Sequence, residues 1–413
     1  MKYIQREIEA EIALYLERPE ALAITGPRQA GKTTLLQSII EKYTQQGKKA
    51  IYITFEDSKA LRLFEDIDAF AKWYSKFDVI CIDEFQYAKE GGKKLKYLYD
   101  QYKKKYIVTG SSSLELHFKL GSFMVGRLVS FLLTPFSYRE YLVATSPDLQ
   151  AALPPPQDPF IESEVYSVGE EIRRRLLEQF ELYLQFGGYP AIVLAQTEAQ
   201  KKKLLESLMN TYVLNDVSRL LKKTDQLGMD KLAVLLAGQV GNLINYHELS
   251  VSSSLSVYEL KKYLYILEKT FLFEIIRPYM KDRRSEIVKN PKLYMFDMGF
   301  HNMIMHDFRS LTQRQNGGSL VENYAYCALR RRGYWPVWFW RTKNGAEVDF
   351  VIEIESKPIP IEVKYSSHVV IGKSMYSFIE KYRPNKAFII TKDITKEVEI
   401  GATKLHFIPI WTL

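Results

Sequence analysis

The sequence predicts an α/β protein with a parallel-sheet domain, a helical middle region and a second, smaller α/β domain. Short apolar runs alternate with helical patterns over residues 22–145, which is typical of a parallel sheet covered by helices on both faces. The proline-rich residues 145–164 predict a linker or an exposed loop, because consecutive prolines continue neither a helix nor a central strand. Strand and helix patterns return over residues 319–413.

Length and composition limit the class of protein. The 413 residues favour two to four domains, and the two cysteines provide neither a disulfide framework nor a zinc site. No uncharged apolar run of about 18 residues predicts a membrane span, and the N-terminus lacks the apolar region of a signal peptide. We therefore expect a cytoplasmic protein without a membrane partner.

The basic residues are clumped rather than evenly spread. The net charge is +8, and Lys and Arg cluster at 93–106, 173–175, 201–203, 281–284 and 330–332, in part with tyrosines between them. Each clump alone fits a solvated helix face. Together they favour DNA as a partner that is held by its phosphate backbone, without sequence specificity.

A phosphate-binding pattern lies between the first predicted strand, 22–25, and a predicted helix, 32–43. The segment GPRQAGKTT fits G-x-x-x-x-G-K-[ST], whose backbone N–H groups and helix N-terminus surround phosphate. We expect Lys32 to bind the β- and γ-phosphates of ATP and Thr33 to ligate Mg²⁺. The predicted ATP-binding residues are Gly26, Pro27, Arg28, Gln29, Ala30, Gly31, Lys32, Thr33 and Thr34, with Asp83 and Ser111 from later strands.

Two carboxylates end the predicted strand 78–83. Asp83 could hold Mg²⁺ through its water shell, and Glu84 could deprotonate the attacking water, so the pair favours hydrolysis over binding alone. The next strand, 106–110, runs into hydroxyl side chains that could sense the γ-phosphate. Ser111 is the candidate chosen, with Thr109 and Ser112 as alternatives.

Residues 22–141 resemble the ATPase module of a prokaryotic P-loop family related to the AAA+ ATPases. The segments that carry the resemblance are ITGPRQAGKTTLL, VICIDEFQ, IVTGSSS and GRLVSFLLTPFSYREYL, and it extends to EVDFVI and IEVK. It implies an AAA+-like P-loop parallel-sheet domain, a helical and winged-helix middle, and a restriction-endonuclease-like α/β domain in a DUF4143-type C-terminal region. It also implies a homo-oligomer, with a hexameric ring as one form. Arg127 could then complete a neighbouring site, or could form only a local ion pair.

Four domains are predicted on this basis. They are an AAA+-like ATPase domain (1–145), a linker with a lid-like helical region (146–228), a winged-helix-like domain (229–305) and a PD-(D/E)XK nuclease-like domain (315–413).

The middle region predicts three helices followed by a strand over residues 229–280. The segment 256–270 starts with Ser256 and Glu259, which form a capping-box pattern. Its outer face carries Lys261, Lys262, Tyr265 and Lys269. That face could contact DNA phosphates, or the region could serve only as a packing module.

Two consecutive predicted strands, 346–355 and 359–365, carry charge within apolar runs. If they form a hairpin that turns near Glu355 and Ser356, Asp349 lies opposite Glu362. Lys364 shares the face of Glu362, and Glu322 of the preceding helix could reach the same place.

The order Glu…Asp…Glu-x-Lys resembles the PD-(D/E)XK nucleases. The resemblance implies a Mg²⁺ or Mn²⁺ ion held by Glu322, Asp349 and Glu362, with Lys364 as a catalytic cation. The alternative is an inactive nuclease fold in which Glu362 and Lys364 form only an ion pair.

The motifs together predict a Mg²⁺-dependent ATPase that acts on DNA as a motor or clamp and carries a nuclease-like C-terminal domain. One alternative is a nucleotide-dependent regulatory switch whose nuclease fold only binds a partner. Another is a nuclease that ATP regulates. The predicted catalytic residues are Lys32, Glu84, Arg127 and Lys364.

Overall fold

The computed structural model describes residues 3–111, 123–155, 157–162, 168–212, 226–280, 289–334 and 336–413. The chain divides into two compact units. The first comprises residues 1–136 with 269–271, and the second comprises residues 137–268 with 272–413. Within the described residues, no helix is both long enough and apolar enough to span a membrane.

The first unit is a five-stranded parallel sheet with helices between the strands. Its strand order is β2-β3-β4-β1-β5, and every pair of neighbours is parallel. The predicted strands and the helix after the phosphate-binding segment are confirmed. The elements are α1 Ile8–Leu16, β1 Ala21–Thr25, α2 Lys32–Gln45, β2 Ala50–Thr54, α3 Ser58–Glu65, α4 Ile67–Trp73, β3 Val79–Asp83, α5 Gly91–Tyr102, β4 Lys105–Gly110 and β5 Leu128–Leu132.

Alternate residues of the strands supply two separate cores, one on each face of this sheet. On one face, Leu22 and Ile24 of β1 pack with Leu35 and Ile39 of α2. On the other face, Ala21 and Ala23 belong to a cluster rich in phenylalanine rings. Because all five strands run in the same direction, their carboxyl ends meet at one edge, where the functional segments of the unit emerge.

The second unit contains several helices and an eight-stranded mixed sheet with the order β12-β13-β11-β10-β9-β8-β6-β7. Its helices are α6 Tyr138–Thr145, α7 Pro147–Ala152, α8 Glu170–Phe186, α9 Pro190–Val193, α10 Glu198–Tyr212, α11 Gln226–Ala237, α12 Tyr246–Ser253, α13 Val257–Lys269, α14 Met298–Ile304, α15 Gly317–Arg331 and α16 Lys373–Tyr382. Its strands are β6 Phe273–Pro278, β7 Lys292–Met295, β8 Trp338–Arg341, β9 Glu347–Ile354, β10 Lys357–Lys364, β11 Lys386–Thr391, β12 Lys396–Ile400 and β13 Thr403–Pro409.

The predicted order of three helices and a strand in the middle region is confirmed by α11, α12, α13 and β6. The capping box is also present, since Glu259 N–H donates to Ser256 Oγ and Ser256 N–H donates to Glu259 Oε2. A further strand, β7, pairs antiparallel with β6. In turn β6 pairs with β8, so strands from the predicted domains 229–305 and 315–413 share one sheet.

The prediction of a linker or exposed loop over residues 145–164 is wrong for residues 147–152, which form helix α7. Pro147 begins helix α7, at the first helical position, where the missing N–H has no intrahelical partner to lose. Leu149 and Phe160 are buried, and the Phe160 ring packs edge-on against the rings of Tyr334 and Phe388. The segment is therefore packed onto the second unit.

The segment FGGYP between α8 and α9 is held by the buried carboxylate of Asp297. This carboxylate caps α14 by accepting hydrogen bonds from the N–H groups of Gly299 and Phe300, and it also accepts from Gly188 N–H at 2.8 Å. Burial raises the pKa of Asp297 to about 6. Gly187 has φ +78° and ψ −172°, a region that only glycine adopts readily, and a Cβ there would lie 2.1 Å from Asp297 Oδ1.

We expect Gly187→Ala to lower the free energy of unfolding by about 3 kcal/mol, because it adds both backbone strain and a clash with Asp297. Urea denaturation followed by circular dichroism measures the loss. The matched control is Gly318→Ala in α15, where the added methyl meets no atom within 4 Å and stability should hold or rise slightly. Equal stability of the two variants would contradict the role given to this contact.

Candidate functional site

The phosphate-binding segment forms the connection between β1 and α2 at the carboxyl edge of the parallel sheet. Gly26 lies so close to the chain after β5 that a Cβ would be 2.0 Å from Leu133 O. Gly31 has φ +99° and is the N-cap of α2. Both positions require glycine, and the resulting loop directs the N-terminus of a helix 14 residues long toward the space that phosphate would occupy.

The side chain of Lys32 turns back into this loop. Its ammonium donates hydrogen bonds to Gly26 O at 2.9 Å and to Pro27 O at 2.7 Å, and the residue is only 5% exposed. A buried ammonium needs acceptors on several sides, and the loop supplies backbone carbonyls. Phosphate oxygens would be stronger acceptors at the same position because they are charged.

The carboxylate of Asp83, at the end of β3, connects several elements. Its Oδ2 accepts hydrogen bonds from Thr33 Oγ1 at 2.6 Å and from the Tyr52 hydroxyl at 2.9 Å. Its Oδ1 accepts from Thr109 Oγ1 and from the N–H of Glu84. The two residues predicted to hold Mg²⁺, Thr33 and Asp83, are therefore in direct contact, and their oxygen atoms are ligands that suit this ion.

Glu84 follows in a left-handed conformation, with φ 54°, which turns its side chain away from the strand direction. Its carboxylate accepts a hydrogen bond from Gln86 Nε2, and the same nitrogen donates to Ser111 Oγ at 3.2 Å. Burial raises the pKa of Glu84, and the nearby Lys32 ammonium opposes that rise. A carboxylate with a raised pKa is a better proton acceptor than an exposed one.

The three candidates for contact with the γ-phosphate differ in their partners. Thr109 is hydrogen-bonded to Asp83, whereas Ser111 is linked to Glu84 through Gln86. Ser112 lies outside the described residues. The choice of Ser111 stays a prediction.

Arg127 precedes β5, so it lies at the amino edge of the parallel sheet, opposite the phosphate-binding loop of the same chain. Its guanidinium pairs with Asp100 at 2.8 Å, the local ion pair that the sequence left as an alternative. A role for Arg127 in the site of a neighbouring subunit stays a prediction.

Arg6 is a buried residue of this site that the sequence pattern did not indicate. Its guanidinium donates to Ala30 O inside the loop at 2.8 Å and to Thr134 O beyond β5 at 2.6 Å, and it lies over the Phe136 ring. The N–H of Arg6 donates to Glu9, whose carboxylate also binds Lys42 of α2. The segment before β1 thus braces both the loop and the helix that follows it.

The hairpin of β9 and β10 has the predicted register. Glu355 and Ser356 form the turn, both with positive φ, and the pair Ile361–Phe350 places Glu362 opposite Asp349 one step further along. Val363 N–H donates to Asp349 Oδ2 at 2.8 Å. Lys364 pairs with Glu362 at 2.8 Å, as the alternative interpretation expected.

A buried lysine from β7, Lys292, joins these charges. Its ammonium lies 2.6 Å from Glu347 Oε1 and 3.3 Å from Glu322 Oε1, and Glu322 also accepts from the Tyr294 hydroxyl. Burial opposes the charge on Lys292, but Glu322, Asp349 and Glu347 together raise its pKa. Burial and repulsion by Glu322 raise the pKa of Asp349 to about 7.

The predicted metal ligands of the second unit do not fit a divalent ion in this arrangement. In the described part of the chain, no three carboxylate, histidine or cysteine side chains lie where they could share a metal. Glu322 faces Lys292 and Tyr294, Asp349 faces the backbone of β10, and Glu362 faces Lys364. Among the oxygen atoms of these three carboxylates, only Glu362 Oε2 is buried without a hydrogen-bond partner, and one oxygen is far fewer than Mg²⁺ requires.

The basic residues differ in how available they are to a partner. Lys261, Lys262 and Tyr265 of α13 are exposed, together with Tyr258, which is 80% exposed. In contrast, Arg330 pairs with Glu274 and Arg332 donates to Thr412 O, and contact of the clump 330–332 with DNA stays a prediction. The clump 281–284 lies outside the described residues.

Comparison with known protein families gives three matches along the chain. Residues 18–142 match a model described as an AAA domain. Residues 177–311 and 317–413 match two models that are described as domains of unknown function, DUF8612 and DUF4143. The order of an AAA-type domain and a C-terminal DUF4143 region agrees with the resemblance seen in the sequence.

Relatives over most of the chain are themselves uncharacterized proteins. One from Haemophilus influenzae is 25% identical over 94% of this chain and 93% of its own length. One from Methanocaldococcus jannaschii is 26% identical over 95% of this chain and 85% of its own. One from Mycobacterium tuberculosis is 23% identical over 90% of this chain and 76% of its own.

Similar solved structures include replication and helicase proteins. The replication initiator DnaA bound to AMPPCP and single-stranded DNA is 16% identical, with a TM-score of 0.30 over 65% of this chain and 92% of that chain. The Pif1 helicase of Candida albicans is 15% identical, with a TM-score of 0.25 over 42% of this chain and 47% of that chain. At these scores the overlap is weak.

We expect Arg6→Met to loosen the phosphate-binding loop of the AAA-type domain, because two buried carbonyl groups lose a charged donor while the apolar stem is kept. Amide exchange in peptides that cover residues 26–36 should accelerate about tenfold or more. The matched control is Arg18→Met, which removes an exposed pair with Glu20 and should leave those peptides unchanged. Unchanged protection in Arg6→Met would show that the loop keeps its shape without this brace.

Proposed function

We propose that this chain is a Mg²⁺-dependent ATP hydrolase that acts on DNA. The observation that carries the first part is the contact of Thr33 with Asp83 beside the half-buried carboxylate of Glu84, at the N-terminus of α2. Hydrogen-bond donors for phosphate, oxygen ligands for a metal ion and a proton acceptor then lie together at one edge of the parallel sheet. The match of residues 18–142 to an AAA domain supports the same conclusion.

The residues have separate tasks in this proposal. The loop N–H groups and Lys32 bind the β- and γ-phosphates, and Ser111 is the candidate for contact with the γ-phosphate. Thr33 and Asp83 would hold Mg²⁺, which supplies positive charge to the phosphate oxygens. Glu84 orients a water molecule and takes its proton as the water oxygen attacks the γ-phosphorus and the bond to the β–γ bridging oxygen breaks.

The proposed DNA contact lies on the middle region. Helices α12 and α13 are separated by a short turn at residues 254–256, and the antiparallel pair of β6 and β7 follows, an element order that fits a winged helix. The outer face of α13 exposes Lys261, Lys262, Tyr258 and Tyr265. Exposed amines beside aromatic rings suit a phosphate backbone, because the amines bind phosphate and the rings offer stacking surfaces.

A second candidate function is a nucleotide-dependent switch whose C-terminal fold only binds a partner. The observation that favours it is the ion pair between Lys364 and Glu362, which engages the proposed catalytic lysine. Stimulation of ATP hydrolysis by single-stranded, duplex or branched DNA separates the two candidates. Hydrolysis that is insensitive to every form of DNA supports the switch.

We expect Glu84→Gln to bind ATP normally but to hydrolyse it at least about a hundredfold more slowly, because a carboxamide cannot accept the proton. We expect Lys32→Ala to lose hydrolysis through loss of phosphate binding. Phosphate release and equilibrium binding of a fluorescent ATP analogue measure the two effects. Glu90→Gln removes an exposed carboxylate a few residues further on and serves as the matched control. If Glu84→Gln hydrolyses ATP at the wild-type rate, Glu84 is not the general base.

We expect Lys261→Ala/Lys262→Ala to weaken DNA binding and to lower the slope of log K against log salt by nearly 2, since two phosphate contacts are lost. Fluorescence anisotropy of labelled duplex and branched DNA across a salt series measures both quantities. Lys59→Ala/Lys72→Ala removes two exposed lysines from the first unit and is the charge-matched control. Identical slopes for the two double variants would place the DNA contact elsewhere.

A further inference from the structure

Four carboxylates of the second unit lie around a small set of positive charges. Glu322 comes from α15, Glu347 and Asp349 are alternate residues on one face of β9, and Glu362 lies on the neighbouring strand β10. Carboxylates at such short spacing repel each other, and water is largely excluded from Glu362. A fold that contains them needs a cation in place.

The described residues supply that cation from the protein itself. Lys292 is 3% exposed and bridges Glu347 and Glu322. Arg341 pairs with the second oxygen of Glu347, and Lys364 pairs with Glu362. Three protein cations therefore face four carboxylates, and at most one negative charge remains without a partner.

The position of Lys292 is fixed on both sides of its backbone. It pairs with Ile276 across β6 and β7, and it forms an isolated bridge with Leu243 on its other side. Its ammonium lies 5.6 Å from the centre of the Phe339 ring. Strand pairing thus fixes the backbone of Lys292, and the ion pairs with Glu347 and Glu322 hold its buried ammonium within the cluster.

We infer that the Lys292 ammonium occupies the position that a divalent cation would take among Glu322, Glu347 and Asp349, so that this cluster holds neither Mg²⁺ nor Mn²⁺. The contacts support this inference, because Lys292 bridges Glu347 Oε1 and Glu322 Oε1, the Tyr294 hydroxyl donates to the same Glu322 oxygen, and Val363 N–H donates to Asp349 Oδ2. The C-terminal fold then has no metal-dependent phosphodiesterase chemistry, and its acidic face is an internal ion-pair network. The inference does not rest on the proposed ATP hydrolysis.

The first experiment is calorimetric titration of the nucleotide-free full-length chain with Mn²⁺, in wild type and in Asp349→Ala. The expected result is the same Mn²⁺ binding in both proteins. A Mn²⁺ site that is present in wild type and lost in Asp349→Ala overturns the inference. Because no nucleotide is present, the result does not depend on the AAA-type domain.

The second experiment removes the lysine. We expect Lys292→Ala to gain one Mn²⁺ site that disappears in Lys292→Ala/Asp349→Ala, and its melting temperature should rise by about 3 °C or more in millimolar MnCl₂ while that of wild type stays constant. Lys357→Ala, an exposed lysine on the same hairpin, is the matched control and should gain no site. A folded Lys292→Ala protein that gains no Mn²⁺ overturns the inference, and if this variant fails to fold, the comparison of wild type with Asp349→Ala still decides.

Discussion

The carboxylate of Asp83 is the interaction on which the candidate active site depends. It is buried, and burial of a carboxylate is tolerated only when hydrogen bonds or cations satisfy its oxygen atoms. Its four donors come from α2, β2, β4 and the following residue. The positions of three strand ends and one helix are therefore fixed relative to one another. Through these hydrogen bonds, Asp83 also fixes the distance between the phosphate-binding loop and Glu84.

The loop itself is shaped by residues far from it in the sequence. Arg6 and Thr134 are 128 positions apart, and the Arg6 guanidinium links the carbonyl of Thr134 to that of Ala30 in the loop. Gly26 is required because the chain beyond β5 passes directly beside it. The Arg6 hydrogen bonds and the close approach at Gly26 hold the backbone of the loop in place, which reduces the ordering that nucleotide binding would require.

The second unit contains a cluster of acidic residues whose charges are largely offset by cations of the protein itself. Asp349, Glu362 and Lys364 have the register that the turn at Glu355 and Ser356 predicts. Lys292, which lies 30 residues before Glu322, enters through the sheet that joins β7 and β6 to the C-terminal strands. Removing water makes unpaired carboxylates costly, and a buried ammonium offsets that cost as a metal ion would. The middle region and the C-terminal strands are thus joined by ion pairs of Lys292 as well as by strand pairing.

The sequence by itself determined the features that depend on neighbours along the chain. Apolar periodicity located the strands of the first unit, the glycines and Lys32 marked the loop, and Ser256 with Glu259 marked the start of α13. The two-residue turn at Glu355 and Ser356 set the register of Asp349 against Glu362, because strand pairing follows from turn length. These signals act over a few residues, so a linear pattern contains them.

Only the tertiary structure decided which charges are neutralised and which segments are buried. Lys292 and Arg6 belong to no motif that the sequence reveals, and their partners come from distant elements. The prolines of residues 145–164 predicted a loop, but Pro147 starts a helix. The strand β12 has the polar sequence KEVEI and showed no apolar run, because it lies at the edge of the sheet. Burial, ion pairing and edge pairing depend on contacts between segments that are far apart in the chain. Such contacts leave no periodic pattern in the local sequence, so they cannot be predicted from it.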